Sequence, residues 1–198
     1  MSGTDSTLRL IELTSATLCH DISGLVGSLG DDADAMELQN PLLDRLTARL
    51  ALRAAAWGPE GEPLTLAGMQ SLARGLPKQV VVEASALERG TVFAASAGRI
   101  VLNLLLLAAA SLPNGGTILL AGSADDLFVR IAGPAAAAWP AGMALCLANK
   151  TEALDALNAW SAPQMALTAL LAHAAGIRLS VLFSPTEQNG PAILRLGG

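Results

Sequence analysis

The residue best suited to chemistry in this sequence is His20, which stands between Cys19 and Asp21. An imidazole has an unperturbed pKa of about 6.5, so a useful fraction of it is neutral and nucleophilic near pH 7. A hydrolase that pairs Cys19 with His20 is disfavoured, because neighbouring residues on a helix diverge by about 100°. Cys19 is therefore interpreted as a small space-filling residue, and His20 as the candidate nucleophile.

The residues around His20 predict a helix that holds the ring outward. Apolar side chains recur at steps of three and four, with one polar lapse at Ser15, as they do along a coiled-coil seam. These seam positions are Leu8, Ile11, Leu18, Ile22, Leu25 and Leu29. His20 lies midway between Leu18 and Ile22, roughly 160–200° from the seam. The pattern thus places the imidazole on the outer face of a helix, exposed to water and to a partner protein.

A second helix with the same kind of stripe is predicted to begin at Asn40-Pro41, with Asn as the N-cap. Its seam positions are Leu43, Leu46, Leu50, Arg53 and Trp57, the arginine extending its charged end to solvent. The short link between the two helices predicts an antiparallel helical hairpin. Both stripes are buried if two copies pair as a four-helix bundle in a homodimer. Alternatively, the C-terminal half of the same chain covers them.

Composition limits the function classes. The chain has 198 residues, of which 52% are hydrophobic, 15% charged and 3% aromatic, with a net charge of −5. It can therefore bury a sizeable core, while few aromatic residues and a negative charge disfavour nucleic-acid binding. The longest apolar run, 100–112, is too short to span a bilayer. With no signal peptide evident and two cysteines in no ligand or redox spacing, we expect a cytoplasmic protein with reduced thiols.

The Gly- and Pro-rich stretch that begins at Gly58 predicts a boundary between a hairpin domain, 1–58, and a second domain, 64–198. The second domain alternates segments typical of helices and of strands. Strands are predicted at 79–84, 117–121, 127–131, 178–183 and 192–196, and helices at 66–74, 96–112 and 162–175. The predicted fold class is α+β: a helical hairpin followed by an α/β sandwich with helices on one face of a mixed sheet. The Ala-rich segment 134–149 is ambiguous.

The run LCHDISGLVGSLGDDADAM (18–36) resembles the first helix of the ChpT-type histidine phosphotransferases. Two further stretches, 102–120 and 166–181, are similar to the helix, turn and strands of that family's second domain. Leu25 stands where the family usually has proline. The resemblance implies a dimer with a central four-helix bundle and a C-terminal domain shaped like the ATP-binding domain of histidine kinases.

The resemblance also allows a test for nucleotide binding. A kinase domain of this type needs an asparagine where Leu107 stands, an acidic and Gly-rich box where 132–134 stands, and a Gly-rich lid where 161–164 stands. A triphosphate and its metal require carboxylates, amides and bare backbone N–H groups, which these residues do not supply. We therefore expect no bound ATP, cofactor or metal. Asn103, within the apolar helix, is interpreted as a hydrogen-bonded structural residue.

By this resemblance, His20 is the phosphoacceptor of a two-component phosphorelay. It would take a phosphoryl group from the receiver domain of a hybrid histidine kinase and pass it to response regulators, with Mg²⁺ held by the receiver. Asp21 is a candidate either for orienting the ring or for repelling the wrong partner. Gly24 and Gly27 lie one and two turns further along and would leave room for receiver loops to dock.

Two rival functions use the same fold. In one, the protein is an idle pseudo-phosphotransferase that acts as a signalling scaffold, which the departure at Leu25 favours. In the other, it is an ATP-dependent kinase, which the apolar residues at the nucleotide positions disfavour. His173, near the end of a helix, is interpreted as half-buried and structural. Arg45, Arg49 and Arg53 are interpreted as solvated charges, although they are able to meet a phosphate.

Overall fold

The computed structural model describes Ile22 and residues 35–134, 137–159, 162–182 and 193–197. Most of the predicted first helix therefore lies outside the described residues. Ile22 is helical and 39% of its surface is exposed. No helix in these described segments is both long and apolar enough to cross a bilayer.

The predicted second helix begins earlier than its sequence indicates. Helix α1 spans Ala35–Trp57 without a break, and Pro41 lies inside it. The prediction of a helix start at Asn40-Pro41 is therefore wrong. Proline has a φ angle close to the helical value, so a helix can pass through it by giving up one backbone hydrogen bond and accepting the crowding of its ring.

Helix α1 has two apolar faces, of which the sequence pattern revealed only one. Leu43, on the predicted seam, is 52% exposed, whereas Leu52 and Ala56 are completely buried. The buried face packs against the C-terminal part of the chain. Of the predicted stripe, the main hydrophobic cluster covers Trp57, whereas Leu43 stays exposed, so the alternative that the C-terminal half covers the stripe holds only at its C-terminal end.

The chain after α1 forms a layer of helices on a mixed sheet. Its helices are α2 (Leu66–Ala73), α3 (Ala95–Ala110), α4 (Met143–Ala148), α5 (Lys150–Asn158) and α6 (Pro163–Ala175). Its strands are β1 (Leu64–Thr65), β2 (Val80–Leu87), β3 (Val92–Phe93), β4 (Gly116–Gly122), β5 (Asp126–Ala132), β6 (Arg178–Leu182) and β7 (Ile193–Gly197). The predicted α+β class is confirmed, since every predicted helix and strand of this domain is present. Helices α4 and α5 and the short strands β1 and β3 were not predicted.

The main sheet has the strand order β2-β4-β5-β7-β6, in which only the pair β2–β4 is parallel. Alternate residues of its strands are buried, and α3, α4 and α6 contact that side. The opposite side includes Val81, which is 54% exposed. A sheet covered on one face alternates in this way because its side chains point to opposite sides in turn. Strands β1 and β3 form a separate two-stranded sheet.

Three local features of the sequence begin or end these elements. The hydroxyl of Thr65 accepts a hydrogen bond from the backbone N–H of Gly68 at 3.1 Å and caps α2. The turn before β4 ends at Gly116, whose φ of 146° is accessible only to glycine without strain. Gly176 ends α6 in the left-handed conformation, with a φ of 66°.

Candidate functional site

The predicted centre lies outside the described residues. This applies to His20 and Cys19, to Asp21, and to the two docking glycines, Gly24 and Gly27. Their arrangement stays a prediction. The described residues instead define the surface that α1 and the C-terminal domain present together.

A cleft of about 550 Å³ lies between α1 and α2. From α1 it is lined by Asp44, Arg45, Thr47, Ala48 and Ala51, and from α2 and its C-terminal end by Ser71, Leu72 and Arg74. The Arg74 guanidinium donates to the Ser71 carbonyl at 3.2 Å and to the Ser71 hydroxyl at 3.0 Å. These bonds hold one cation at the cleft wall. The cleft is therefore lined by two cations, Arg45 and Arg74, and by one carboxylate, Asp44.

A smaller cleft of about 220 Å³ lies where α1 meets the loop after α2 and helix α3. Arg49 and Arg53 line it together with apolar residues. The Arg53 guanidinium lies 4.9 Å from the centre of the Trp57 ring, a cation–π arrangement. Arg45, Arg49 and Arg53 are each partly buried, as expected for side chains that pack their stems and extend their charged ends.

Two of the positions where a kinase domain would bind a nucleotide and its metal, Leu107 and Asn103, are buried. Leu107 is 1% exposed and lies within the main hydrophobic cluster. Asn103 is fully buried and its side-chain amide donates to the Ala56 carbonyl at 2.7 Å. A Cβ on Gly133 would lie 2.8 Å from a methyl of Leu112, so the backbone there is closely packed. The interpretation of Asn103 as a structural, hydrogen-bonded residue is confirmed.

His173 and Cys146, which both carry potentially reactive side chains, lie next to each other. A ring nitrogen of His173 lies 2.9 Å from the Cys146 carbonyl oxygen, and the histidine is half-buried, as predicted. Burial raises the pKa of the Cys146 thiol, with a smaller contribution from the charge of Glu152. A raised pKa makes a thiolate scarce and the thiol unreactive. Within the described segments, no three His, Cys, Asp or Glu side chains are grouped to hold a metal ion.

Comparison with known proteins identifies the family. The family model described as the histidine phosphotransferase C-terminal domain matches residues 67–187, which is more than half of the chain. The chain belongs to this family. A solved structure described as a bacterial phosphotransferase superposes with a TM-score of 0.66 at 21% sequence identity, covering 99% of this chain and 97% of that one. This likeness shows a shared fold. No curated protein matches the chain.

Membership of the histidine phosphotransferase family confirms the resemblance inferred from the motifs. The match covers α2 to α6, the part of the chain that places Arg74 on the cleft and Leu107 in the core. The sequence pattern did not reveal the cleft, because its two walls lie on separate helices. The glycine that follows α2, Gly75, gave no signal of it either, although it lies where the two helices meet.

Gly75 allows the close approach of α1 to the C-terminal domain. A Cβ there would overlap the carbonyl oxygen of Ala48 and lie 2.9 Å from the Cβ of Leu52. Because both neighbours belong to α1, Gly75→Ala must displace this helix. We expect the variant to lose about 1–3 kcal/mol of unfolding free energy, measured by urea denaturation.

The matched control for this change is Gly61→Ala. A Cβ on Gly61 meets nothing within 4 Å. Its unfolding free energy should stay within about 0.5 kcal/mol of wild type. Equal stability of the two variants would show that α1 does not pack on Gly75.

Proposed function

We propose that this chain is a histidine phosphotransfer protein of a bacterial two-component phosphorelay. His20 accepts a phosphoryl group from the aspartate of a hybrid kinase's receiver domain and passes it to response regulators, in the cytoplasm and without ATP. The family match over residues 67–187 carries this proposal. The motif around His20 supplies the acceptor.

The proposed step exchanges one high-energy bond for another. A lone pair on a ring nitrogen of His20 attacks the phosphorus of the aspartyl phosphate in line. The N–P bond forms as the bond from phosphorus to the aspartate oxygen breaks, and the aspartate leaves as a carboxylate with the electron pair. Because the receiver holds the Mg²⁺ that neutralises the phosphoryl oxygens, the phosphotransferase mainly supplies the nucleophile and its position. Asp21 is proposed to orient the ring.

The cleft between α1 and α2 is proposed as part of the receiver-docking surface. His20 and Asp44 are equally distant along the sequence from Asp32, which precedes α1. If the proposed antiparallel hairpin turns near Asp32, His20 would lie level with the cleft residues Asp44 and Arg45. The bare positions Gly24 and Gly27 would let receiver loops approach. Arg45 and Arg74 would attract the anionic rim of the receiver's phosphorylation site.

A homodimer is proposed on the basis of the open seam. Ile22 is 39% exposed and Leu43 is 52% exposed, although both occupy predicted seam positions. Apolar seams on two helices are buried when a second hairpin packs against them. A four-helix bundle of two protomers would cover both side chains.

We propose that the protein works without ATP, because the residues at the nucleotide positions lack free oxygen donors. Leu107 offers no metal ligand, and it is enclosed by the core. The Asn103 side-chain oxygen accepts a hydrogen bond from the Gln164 amide at 3.0 Å. A Mg·triphosphate would need free oxygen donors at these places.

The proposal is tested with receiver domains phosphorylated on aspartate by radiolabelled acetyl phosphate. Each labelled receiver is separated from the donor and mixed with the purified full chain. We expect label to move onto the chain and to be stable in alkali but labile in acid, as a phosphoramidate is. If no receiver of a broad panel transfers label, the relay is wrong and the scaffold alternative stands. Label that arrives from Mg·ATP alone would show a kinase instead.

The docking cleft is tested with Arg74→Ala. Loss of one charge-assisted contact at a protein interface should weaken receiver binding about tenfold. We expect this as a rise in the KM for the phosphorylated receiver with kcat little changed. The matched control is Arg89→Ala, an exposed arginine in the loop after β2, which should transfer as wild type does. An unchanged KM for Arg74→Ala would place docking elsewhere.

A further inference from the structure

The C-terminal end of α1 is capped by side chains from a distant helix. The last carbonyl groups of any helix lack partners within the helix. Here the Asn103 amide of α3 donates to the Ala56 carbonyl at 2.7 Å. Arg99 of α3 donates to the same carbonyl at 3.4 Å and to the Trp57 carbonyl at 3.2 Å. Two consecutive carbonyls at the end of α1 are thus bound by α3.

Asn103 also connects this cap to a third helix. Its amide group donates a second hydrogen bond to the Arg99 carbonyl at 2.9 Å, and its side-chain oxygen accepts from the Gln164 amide of α6 at 3.0 Å. Thr168, also buried, donates to the Gln164 carbonyl at 2.7 Å. Asn103 is 0% exposed. Because the buried Asn103 side chain has partners for both its amide group and its oxygen, removing it is costly: the groups left behind lose those partners.

We propose that Asn103 is a positioning residue that fixes the angle at which α1 leaves the C-terminal domain. Its role rests on the proposed function: α1 carries one wall of the docking cleft and is half of the hairpin that presents His20. The contact between the C-terminal end of α1 and helix α3 is called the joint below. The buried residues Leu52 and Ala56 supply its apolar packing, which by itself is non-directional. The hydrogen bonds from Asn103 and Arg99 add the direction, because they require particular carbonyls to point at particular donors.

A fixed joint suits a protein that receives its phosphoryl group from a partner protein. A kinase that phosphorylates its own histidine must carry the nucleotide to that residue and withdraw again, so its two domains need to move. A relay needs instead a docking surface that is formed before the receiver arrives. If only a fraction of molecules has the competent arrangement, the apparent affinity falls by that fraction. In this relay, Asn103 of α3 would therefore serve to hold α1 in the arrangement that is competent for docking.

The joint is tested with Asn103→Ala, in two measurements. Spin labels are attached to cysteines introduced by Thr47→Cys in α1 and Val81→Cys in β2, two exposed positions. Cys19→Ser keeps the label off that native thiol. Labelled chains are diluted with unlabelled ones so that distances within one chain are observed. We expect a narrow distance distribution with Asn103 in place and a broad one in Asn103→Ala. The KM for a phosphorylated receiver should rise about tenfold with kcat unchanged, if one molecule in ten stays competent.

Two further variants keep the test decisive. Ser111→Ala removes another buried hydrogen bond of α3, from the Ser111 hydroxyl to the Leu107 carbonyl at 2.9 Å, without touching α1. It should leave both the distances and KM as in wild type. Arg99→Ala should broaden the distances in the same direction as Asn103→Ala, and it replaces that variant if the latter does not fold.

The distance measurement needs no phosphotransfer, so it separates this inference from the proposed function. A narrow distribution in both Asn103→Ala and Arg99→Ala would overturn the inference. A wild-type chain that takes no label from any receiver would overturn the proposed function while leaving the joint intact.

Discussion

The His20→Ala variant is expected to accept no phosphoryl group from any receiver that labels the wild type. The methyl group has no lone pair with which to attack phosphorus, and no N–P bond can form. The predicted outward position of His20 means that the change removes little packing. The variant should therefore match the wild type in circular dichroism and in thermal unfolding, while label on the chain falls to background.

The second histidine of the chain is the control for this result. His173 is half-buried, and a ring nitrogen lies 2.9 Å from the Cys146 carbonyl oxygen. His173→Ala should take up label as the wild type does, at a temperature where it is folded. Label on His20→Ala that disappears in His173→Ala would move the acceptor to α6 and contradict the proposed relay.

Leu107→Asn should destabilise the protein strongly and still bind no nucleotide. This change places the amide of a kinase domain at a site that is 1% exposed and enclosed by the main cluster. The core loses a leucine side chain and gains a buried amide without partners. Together these effects are expected to cost about 3–5 kcal/mol of unfolding free energy, measured by urea denaturation. Calorimetric titration with Mg·ATP should give no binding heat.

An exposed leucine provides the matched comparison. Leu145 lies on α4 and is 62% exposed, so Leu145→Asn should change the unfolding free energy by no more than about 0.5 kcal/mol. Equal stability of Leu107→Asn and wild type would show that this position is not a core position. Tight binding of Mg·ATP to the wild type would contradict the proposal that the relay works without nucleotide.

Much of the C-terminal domain could be predicted because its local signals and its packing agree. The β-branched run that forms β2, the capping Thr65 and the left-handed Gly176 each specify their own element. Asn103 was also interpretable from sequence, because an amide within an apolar helix must find hydrogen-bond partners. Its partners could not be predicted, because they lie 47 residues away on α1 and 61 residues away on α6.

The errors arose where packing overrides local preference or where the periodic signal is weak. Asn40-Pro41 is a good helix start by local chemistry, yet α1 begins at Ala35 and continues through it. Short, alanine-rich segments give little periodic signal, which is why α4 was not predicted from the ambiguous segment 134–149. The buried face of α1 was missed for the same reason, because it combines Leu52 with the small side chain of Ala56.

The candidate site divides in the same way. His20 could be proposed as the phosphoacceptor because its motif is local. The cleft between α1 and α2 could not be predicted, because Arg45 and Arg74 come together only when these helices pack. Gly75 permits that packing, but a glycine in a sequence does not by itself indicate a close contact with another helix.

The cap on α1 also has a consequence for the order of events during translation. The Asn103 amide that binds the Ala56 carbonyl follows it by 47 residues. At about 5–20 residues per second, the ribosome adds that segment roughly two to ten seconds later. The C-terminal end of α1 is therefore completed only after α3 has emerged, so truncation or slow synthesis of the second domain leaves that end of α1 without its hydrogen-bond partners.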